Sequence, residues 1–283
     1  MLDIKNVTTG YRDYRIAVPT AYQQVFSHFY FAENRTGQTI RKTLLPSYQT
    51  ILLFNFGKKA ILQSAEKAVL NLEKCIVLGP IKKAFDYSLP DQSEILVVAF
   101  KDDAFYRFFG DASLAEDLPI DPDTILQQDC FTGLWKKLNE MEGDGAEENI
   151  LLKNDLRINH ILEFCKPYLI ERSKIAEQLA NFKQDLTSSI KSTAAANNQT
   201  ERTMQMQHKK YFGYTSKELN RYRRFLKAIE LTANLVDQHS KVDWFHVIES
   251  CGYYDQSQLI HDFKFYTSLS PSKYLKFQKD ICS

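Results

Sequence analysis

The sequence predicts an α+β chain of two domains, a mostly-β N-terminal part with flanking helices followed by an all-α C-terminal part. Three observations carry this. Before residue 100 the hydrophobic runs are short, rich in Ile, Leu, Val and Phe, and broken by Gly, Pro, Asp and Asn, as strands of a sandwich or barrel are. Beyond residue 150 apolar residues recur at helical intervals, and Pro167 is the one proline between residues 123 and 270, which suits helices. "EGDGAEEN" (142–149) is acidic and lacks apolar periodicity, so it reads as the join. The expected boundaries are 1–141, a linker at 142–152, and 153–283.

Taken in order, "QTILLFNFG" (49–57), "KAVLNLEKCIVLG" (67–79) and "SEILVVAF" (93–100) are strands. "DDAFYRFFG" (102–110) and "DCFTGLWKKLNEM" (129–141) have helical spacing, with Asp102 and Asp103 at the start of the first and Gly110 as its cap. After the join, Leu156, Ile158, Ile161, Leu162 and Cys165 mark one helix, and Ile170 to Leu186 a second. "TSSIKSTAAANNQ" (187–199) is a short Ala-rich helix and "TERTMQMQHKKY" (200–211) another. The long amphipathic helix 216–236 places Leu219, Tyr222, Leu226, Ile229 and Ala233 on one stripe.

The composition, 44% hydrophobic and 25% charged over 283 residues, is that of a globular protein. No run of about 18 apolar residues suggests a membrane span, and the first residues do not resemble a signal peptide. Five scattered cysteines without CxxC spacing read as reduced thiols of a cytoplasmic protein. Charge is uneven: residues 1–150 hold 16 Lys and Arg against 21 Asp and Glu, a net of −5, and residues 151–283 hold 20 against 14, a net of +6. A basic C-terminal half points to a polyanionic partner, with drift between two solvated domains as the plainer account.

An internal repeat sharpens the choice. Shifted by 55 residues, "DQSQLIHDFKFYTSLSPSKYL" (255–275) falls on "TERTMQMQHKKYFGYTSKELN" (200–220). Asp255 and Thr200 coincide as N-caps. Leu259, Phe263 and Tyr266 match Met204, His208 and Tyr211 on one face, and Ser257, His261 and Lys264 match Arg202, Met206 and Lys209 on the other. In each copy a short helical segment and a turn come first, "DWFHVIESC" and Gly252 in the second. This is a helix-turn-helix, whose second helix can enter a DNA major groove. Two copies joined by a long helix suit successive grooves roughly 34 Å apart. Lys209, Lys210, Lys217, Arg221, Arg223, Arg224 and Lys227 supply charge for phosphates. A plain bundle with a solvated face is the competing account, which the matched outer positions disfavour.

"GYYDQSQLIHDFKFYTSLSPSKYL" resembles the second helix-turn-helix of AraC-type transcriptional regulators, and "TERTMQMQHKKYFGYTSKEL" the end of the first. The likeness spans about 187–277 and is carried by G-[YF]-x-x-x-S-x-[LF]-x-x-x-F-K followed by S-P-x-x-Y. It implies a cupin-like regulatory barrel for sensing or dimerisation in 1–141, to which "LGPIKKAFDY" and "AFKDDAFYRFFG" are similar. It implies DNA contacts from Arg202, Gln205 and Met206 in the first recognition helix and from Gln256, Ser257, Gln258 and His261 in the second, with Lys209 and Lys264 at positions usually basic. Lys210, Arg221, Arg223 and Arg224 are the accompanying phosphate-contact candidates. The implied partners are double-stranded DNA, RNA polymerase, a small-molecule effector and a second copy of the chain, with no membrane and no cofactor.

Departures from the pattern fall in both copies. Met206 and His261 stand where Arg is frequent, His208 where the core has Phe, Asn197 where Leu is expected, Ser216 for a Pro, Ser268 for a Gly, and Ile248 for a small residue. Phe265 stands at an outward, commonly basic position and is expected to be exposed. Asn197 and His208 make the first motif read as degraded and weakly stable.

No catalytic or metal motif emerges. A cupin-type metal site needs two or three His with a carboxylate, and His28 is the only histidine in residues 1–150. There is no G-x-S-x-G and no phosphate-binding loop. Tyr30, Phe54, Phe56 and Phe100 serve either as core or as an effector pocket. The expectation is therefore a DNA-binding regulator and not an enzyme. A small-molecule sensor or cupin-type enzyme with a vestigial DNA-binding domain, and a protein-interaction module, are the alternatives.

Overall fold

The computed structural model describes residues 10–63, 69–115, 119–141, 147–180, 186–238 and 242–282. Among them the strands are β1 (Tyr11–Ile16), β2 (Phe26–Asn34), β3 (Ile40–Leu44), β4 (Ile51–Gly57), β5 (Ala60–Gln63), β6 (Val69–Leu72), β7 (Cys75–Leu78), β8 (Phe85–Leu89) and β9 (Ser93–Phe100). A five-stranded antiparallel sheet runs β1-β2-β9-β4-β7, and a four-stranded one runs β3-β8-β5-β6. The run 67–79, expected as one strand, is two. Chain 69–72 pairs with β5 and chain 75–78 with β4, so Glu73 and Lys74 form the corner between sheets.

Every residue of β9 is buried, because the larger sheet is covered on both faces. The rows Phe31–Leu96–Phe54 and Phe29–Val98–Leu52 face helices and belong to the same cluster as Phe105, Phe131 and Ile161. The alternate row Tyr30–Val97–Leu53 faces the smaller sheet, with Leu62 and Leu72. Strand alternation thus divides the expected effector pocket. Phe54, Phe56 and Phe100 sit in the helix-side core, and Tyr30 lies on the inter-sheet side, where its hydroxyl donates to Asp13 Oδ2 at 2.9 Å.

The helix layer comprises α1 (Ala104–Phe109), α2 (Pro122–Leu126), α3 (Cys130–Asn139) and α4 (Glu147–Cys165). Gly110 caps α1 in the left-handed region. Helix α4 begins inside the acidic join and buries Ile150, Ile158, Ile161, Leu162 and Cys165 in the N-terminal core. Arg157, 2% exposed, covers the Phe56 ring at 3.9 Å and pairs with buried Glu94, which Lys153 also holds at 3.1 Å. These contacts fasten α4 to the strand-rich half.

The C-terminal helices are α5 (Lys174–Ala180), α6 (Leu186–Ala196), α7 (Glu201–Phe212), α8 (Ser216–Gln238), α9 (Trp244–Cys251), α10 (Gln256–Thr267) and α11 (Pro271–Cys282). The expected helix from Ile170 to Leu186 begins later, at Lys174, and 181–185 lie outside the described residues. On α8 the buried stripe is Tyr222, Phe225, Ala228 and Thr232, whereas Leu226, expected on it, is 43% exposed. The stripe turns because α8 serves two neighbours: Phe225 packs on Phe263 and Tyr266 of α10, and Tyr222 reaches the N-terminal half.

That reach forms a seam. Tyr48 stacks on Tyr222 with centroids 4.4 Å apart and meets Tyr214 edge-on at 5.1 Å. The Tyr222 hydroxyl donates to Pro46 O at 2.6 Å, and Ala84 N–H to Tyr266 O at 3.0 Å. Lys82 pairs with Glu218 at 2.8 Å. Gly213, at φ +75°, ends α7 so close to the N-terminal half that a Cβ there would lie 2.6 Å from Ala112 O and 2.8 Å from the Pro80 ring. Gly252 has the same φ and open space around it. Gly252→Ala is therefore expected to cost only the left-handed penalty, about 1–2 kcal/mol. Gly213→Ala should cost clearly more, because the seam must also move. Equal losses in denaturant melts of the two variants would show that the seam is not tight at Gly213.

Candidate nucleic-acid interface

Helices α7 and α10 both begin as their caps require. The Thr200 side chain accepts from Thr203 N–H at 3.1 Å, and Asp255 from Gln258 N–H at 2.8 Å, relieving free donors of the first turn. Both end on left-handed residues 55 positions apart, Gly213 and Ser268. The turns before them differ. Gln199 N–H bonds Ala194 O at 2.9 Å, and Tyr253 N–H bonds Ile248 O at 3.0 Å. Both are Schellman closures, but they lie 54 residues apart. Asn198, at φ +51°, takes the place of Gly252, since Asn tolerates this region better than most side chains.

The inner faces are closed. Met204 and His208 on α7, and Leu259, Phe263 and Tyr266 on α10, are at most 1% exposed, while Tyr211, expected beside Met204 and His208, is half-buried and Phe212 is buried instead. The outer faces are open. Arg202, Gln205 and Met206 are exposed on α7, as are Gln256, Ser257, His261 and Lys264 on α10, while Lys209 and Gln258 are half-buried. Met206 is 66% exposed, an apolar side chain at the position that matches His261. The carbonyl of Gln258 accepts from Tyr254 N–H at 2.9 Å, which ties this side chain to the turn. Lys210 stands exposed, with its Nζ 5.7 Å from the Tyr106 ring centroid.

The basic cluster divides. Arg221 and Arg224 converge on Asp262, at 2.6 and 3.1 Å, and Asp262 is 1% exposed. Arg221 also donates to His261 Nδ1 at 2.8 Å. These two arginines hold the fold between α8 and α10 instead of standing free for phosphates. Arg223 lines a cavity described below. Phe265, expected to be exposed, is half-buried between the Lys83 ammonium and the Arg221 guanidinium, at 5.1 and 4.4 Å, because the N-terminal half covers this side of α10. Sequence reading missed Asp262, although its signal is present: it occupies the i+3 position of the buried face Leu259, Phe263, Tyr266. Tyr254, 91% exposed, and Phe245, 81% exposed, were missed too. Tyr254 is the second aromatic of a pair whose first, Tyr253, fills the core.

The first motif is better built than its sequence suggests. His208 is fully buried, and its Nδ1–H donates to Tyr214 O at 2.8 Å. Burial pushes its pKa down to about 4, so the ring is neutral. Asn197 donates to Thr193 O at 2.8 Å and to Gln178 at 3.1 Å. The expectation of a degraded motif is not met at these residues, because the His208 Nδ1–H and the Asn197 amide nitrogen both have acceptors.

Between the halves lies a cavity of about 370 Å³. Tyr48, Phe100 and Phe105 line it from the N-terminal side, and Leu179, His208 and Tyr222 from the helical side. Among the described residues no group of three or more His, Cys, Asp or Glu could hold a metal ion, and no helix is long and apolar enough to cross a membrane.

No family model and no curated protein matches the sequence. Among solved structures, ToxT from Vibrio cholerae matches at 12% identity over 94% of this chain and 98% of its own, with a TM-score of 0.38. An unsaturated-fatty-acid-bound ToxT matches at 12% over 96% and 97%, with a TM-score of 0.35. Ectoine synthase from P. lautus matches at 8% over 35% of this chain and 68% of its own, with a TM-score of 0.27. These are loose likenesses, and the interface described above stands on this chain's own residues.

The buried neutral His208 gives the protein an acid-side weakness. Its folded pKa lies below the ordinary value of 6.5, so the unfolded chain binds more protons between pH 6.5 and about 4. Stability from this site is full above that window and is lost as pH falls through it, by up to about 3 kcal/mol. His208→Phe is expected to leave the Tyr214 carbonyl unpartnered, to cost about 1–3 kcal/mol at pH 7.5, and to flatten the loss of melting temperature between pH 7 and 4. A variant that is more stable at pH 7.5, with unchanged acid sensitivity, would contradict the assigned bond.

Proposed function

We propose that the chain is a sequence-specific DNA-binding regulator of the AraC type, reading two successive major grooves with α7 and α10. One observation carries this reading. Two helices with matched caps bury one face and expose the other, within a basic half, and are joined by one continuous helix. Helix α8 has 23 residues, hence a length of about 34 Å, close to one turn of duplex DNA. Phosphate contacts fix register, and side chains on the exposed faces read base edges. A gel shift over a range of salt, on DNA selected from a random pool, tests it. Specific binding whose affinity falls steeply with salt is expected. A chain that retains no DNA at low salt would overturn the reading.

A second element concerns control. We infer that a small molecule enters the cavity between the halves, where its walls belong to both. Volumes of this size suit small ligands, and a ligand there shifts DNA binding only through different contacts in two arrangements of the seam. Mass spectrometry of the gently purified chain, followed by DNA titration with the extracted compound, tests this. A ligand that changes DNA affinity is expected, and a retained compound without effect on affinity counts against the site.

The two kinds of basic residue should separate cleanly. Lys264→Gln is expected to weaken binding to all sequences alike and to lower the salt slope by about 1, with the melting temperature unchanged. Arg224→Gln is expected to do the reverse, destabilising the fold by about 1–3 kcal/mol through the lost charged hydrogen bond to Asp262. The check is a salt titration paired with a melt for each variant.

A further inference from the structure

We propose that Arg221 holds His261 in one tautomer, so that the central reading position of α10 presents a single hydrogen-bond donor to DNA. The proposal rests on the DNA-binding reading above and names what that helix can discriminate. His261 is exposed on the outer face of α10. Arg221 Nη2 lies 2.8 Å from His261 Nδ1. A guanidinium has no acceptor, so Nδ1 must accept, and the ring proton resides on Nε2. Nε2, the nitrogen that Arg221 does not hold, is then a donor only.

The clamp is itself held. Arg221 Nε is 2.6 Å from Asp262 Oδ1, the guanidinium lies over the Phe265 ring at 4.4 Å, and Asp262 is buried and anchored from its other oxygen by Arg224. Asp262 and Arg221 are therefore positioning residues for His261. Each ring nitrogen has a role set by the other's partner. A lone donor in the major groove is satisfied by guanine N7 or O6, adenine N7 or thymine O4. It is opposed by the amino group of cytosine, which is itself a donor. The facing position should therefore exclude cytosine instead of demanding guanine.

The test has two arms on the full chain. In the first, imidazole ¹H–¹⁵N correlation spectra at pH 7.5 are assigned to His261 by the loss of one ring in His261→Gln. A protonated Nε2 with an accepting Nδ1 is expected, and a protonated Nδ1 overturns the proposal. In the second, binding-site selection is run on the wild type, on Arg221→Met, and on Arg221→Met/Asp262→Asn. The double variant removes the carboxylate charge along with its partner, so a folding loss in the single variant does not decide the matter. The wild type is expected to disfavour cytosine at one position by about tenfold, and the folded variants to lose most of that bias while other positions stay unchanged. An unaltered bias in a folded variant overturns the proposal. Failure of the wild type to bind DNA at all would instead sink the functional reading, and the spectra would still decide the tautomer.

Discussion

The placement of α7 and α10 depends on one aromatic contact, the stacking of Tyr48 on Tyr222. Tyr48 is held at φ +56°, a backbone conformation that costs a side-chain-bearing residue about 1–2 kcal/mol. Its N–H is fixed by Ile81 O at 3.0 Å. The ring leaves its own domain and is buried in the core of the C-terminal helices. From there it touches Tyr214, just after α7, and Tyr222 on α8, and it neighbours Tyr266 on α10 in the same cluster. A single residue of the strand-rich half thus contacts the exit of α7 and the cluster that supports α10.

This arrangement explains why the polar residues inside the helical half are tolerated. His208 donates to the carbonyl of Tyr214, the same residue whose ring meets Tyr48, so the unusual histidine links α7 to the seam. Asp262 performs the matching task for α10, drawing Arg221 and Arg224 from α8. A buried charge is tolerable when its hydrogen bonds are made in full, and here the partners also set the angle between α8 and α10. The proposed regulation follows from the same geometry. The cavity opens beside Tyr48 and is walled by residues of both halves, so its contents and the seam cannot be altered independently.

How much could be read beforehand follows from the range of each signal. The amphipathic helices α7, α8 and α10, with their caps at Thr200 and Asp255, were legible because capping and 3.6-residue periodicity are local. The strands β4 and β9 were legible as apolar runs, but not which face of each met which neighbour, since both faces are buried. Phe54 and Tyr30 therefore looked alike and lie on opposite sides of the sheet. The corner at Glu73 and Lys74 was hidden inside one hydrophobic run. The basic cluster was legible only as charge, which does not reveal its partner: Arg221 and Arg224 look like phosphate contacts in sequence and in the fold pair with Asp262. The role of Tyr48 had no local signal at all, since its partner stands far along the chain and the contact exists only after both halves have folded.

The central claim is that the seam presents α7 and α10 to DNA as one rigid pair. Hydroxyl-radical footprinting of the intact chain on a selected binding site tests this most directly. The account requires two protected segments on one face of the duplex, centred about 10 base pairs apart, appearing together at one protein concentration. A single protected segment, or two that fill at separate concentrations, would contradict it.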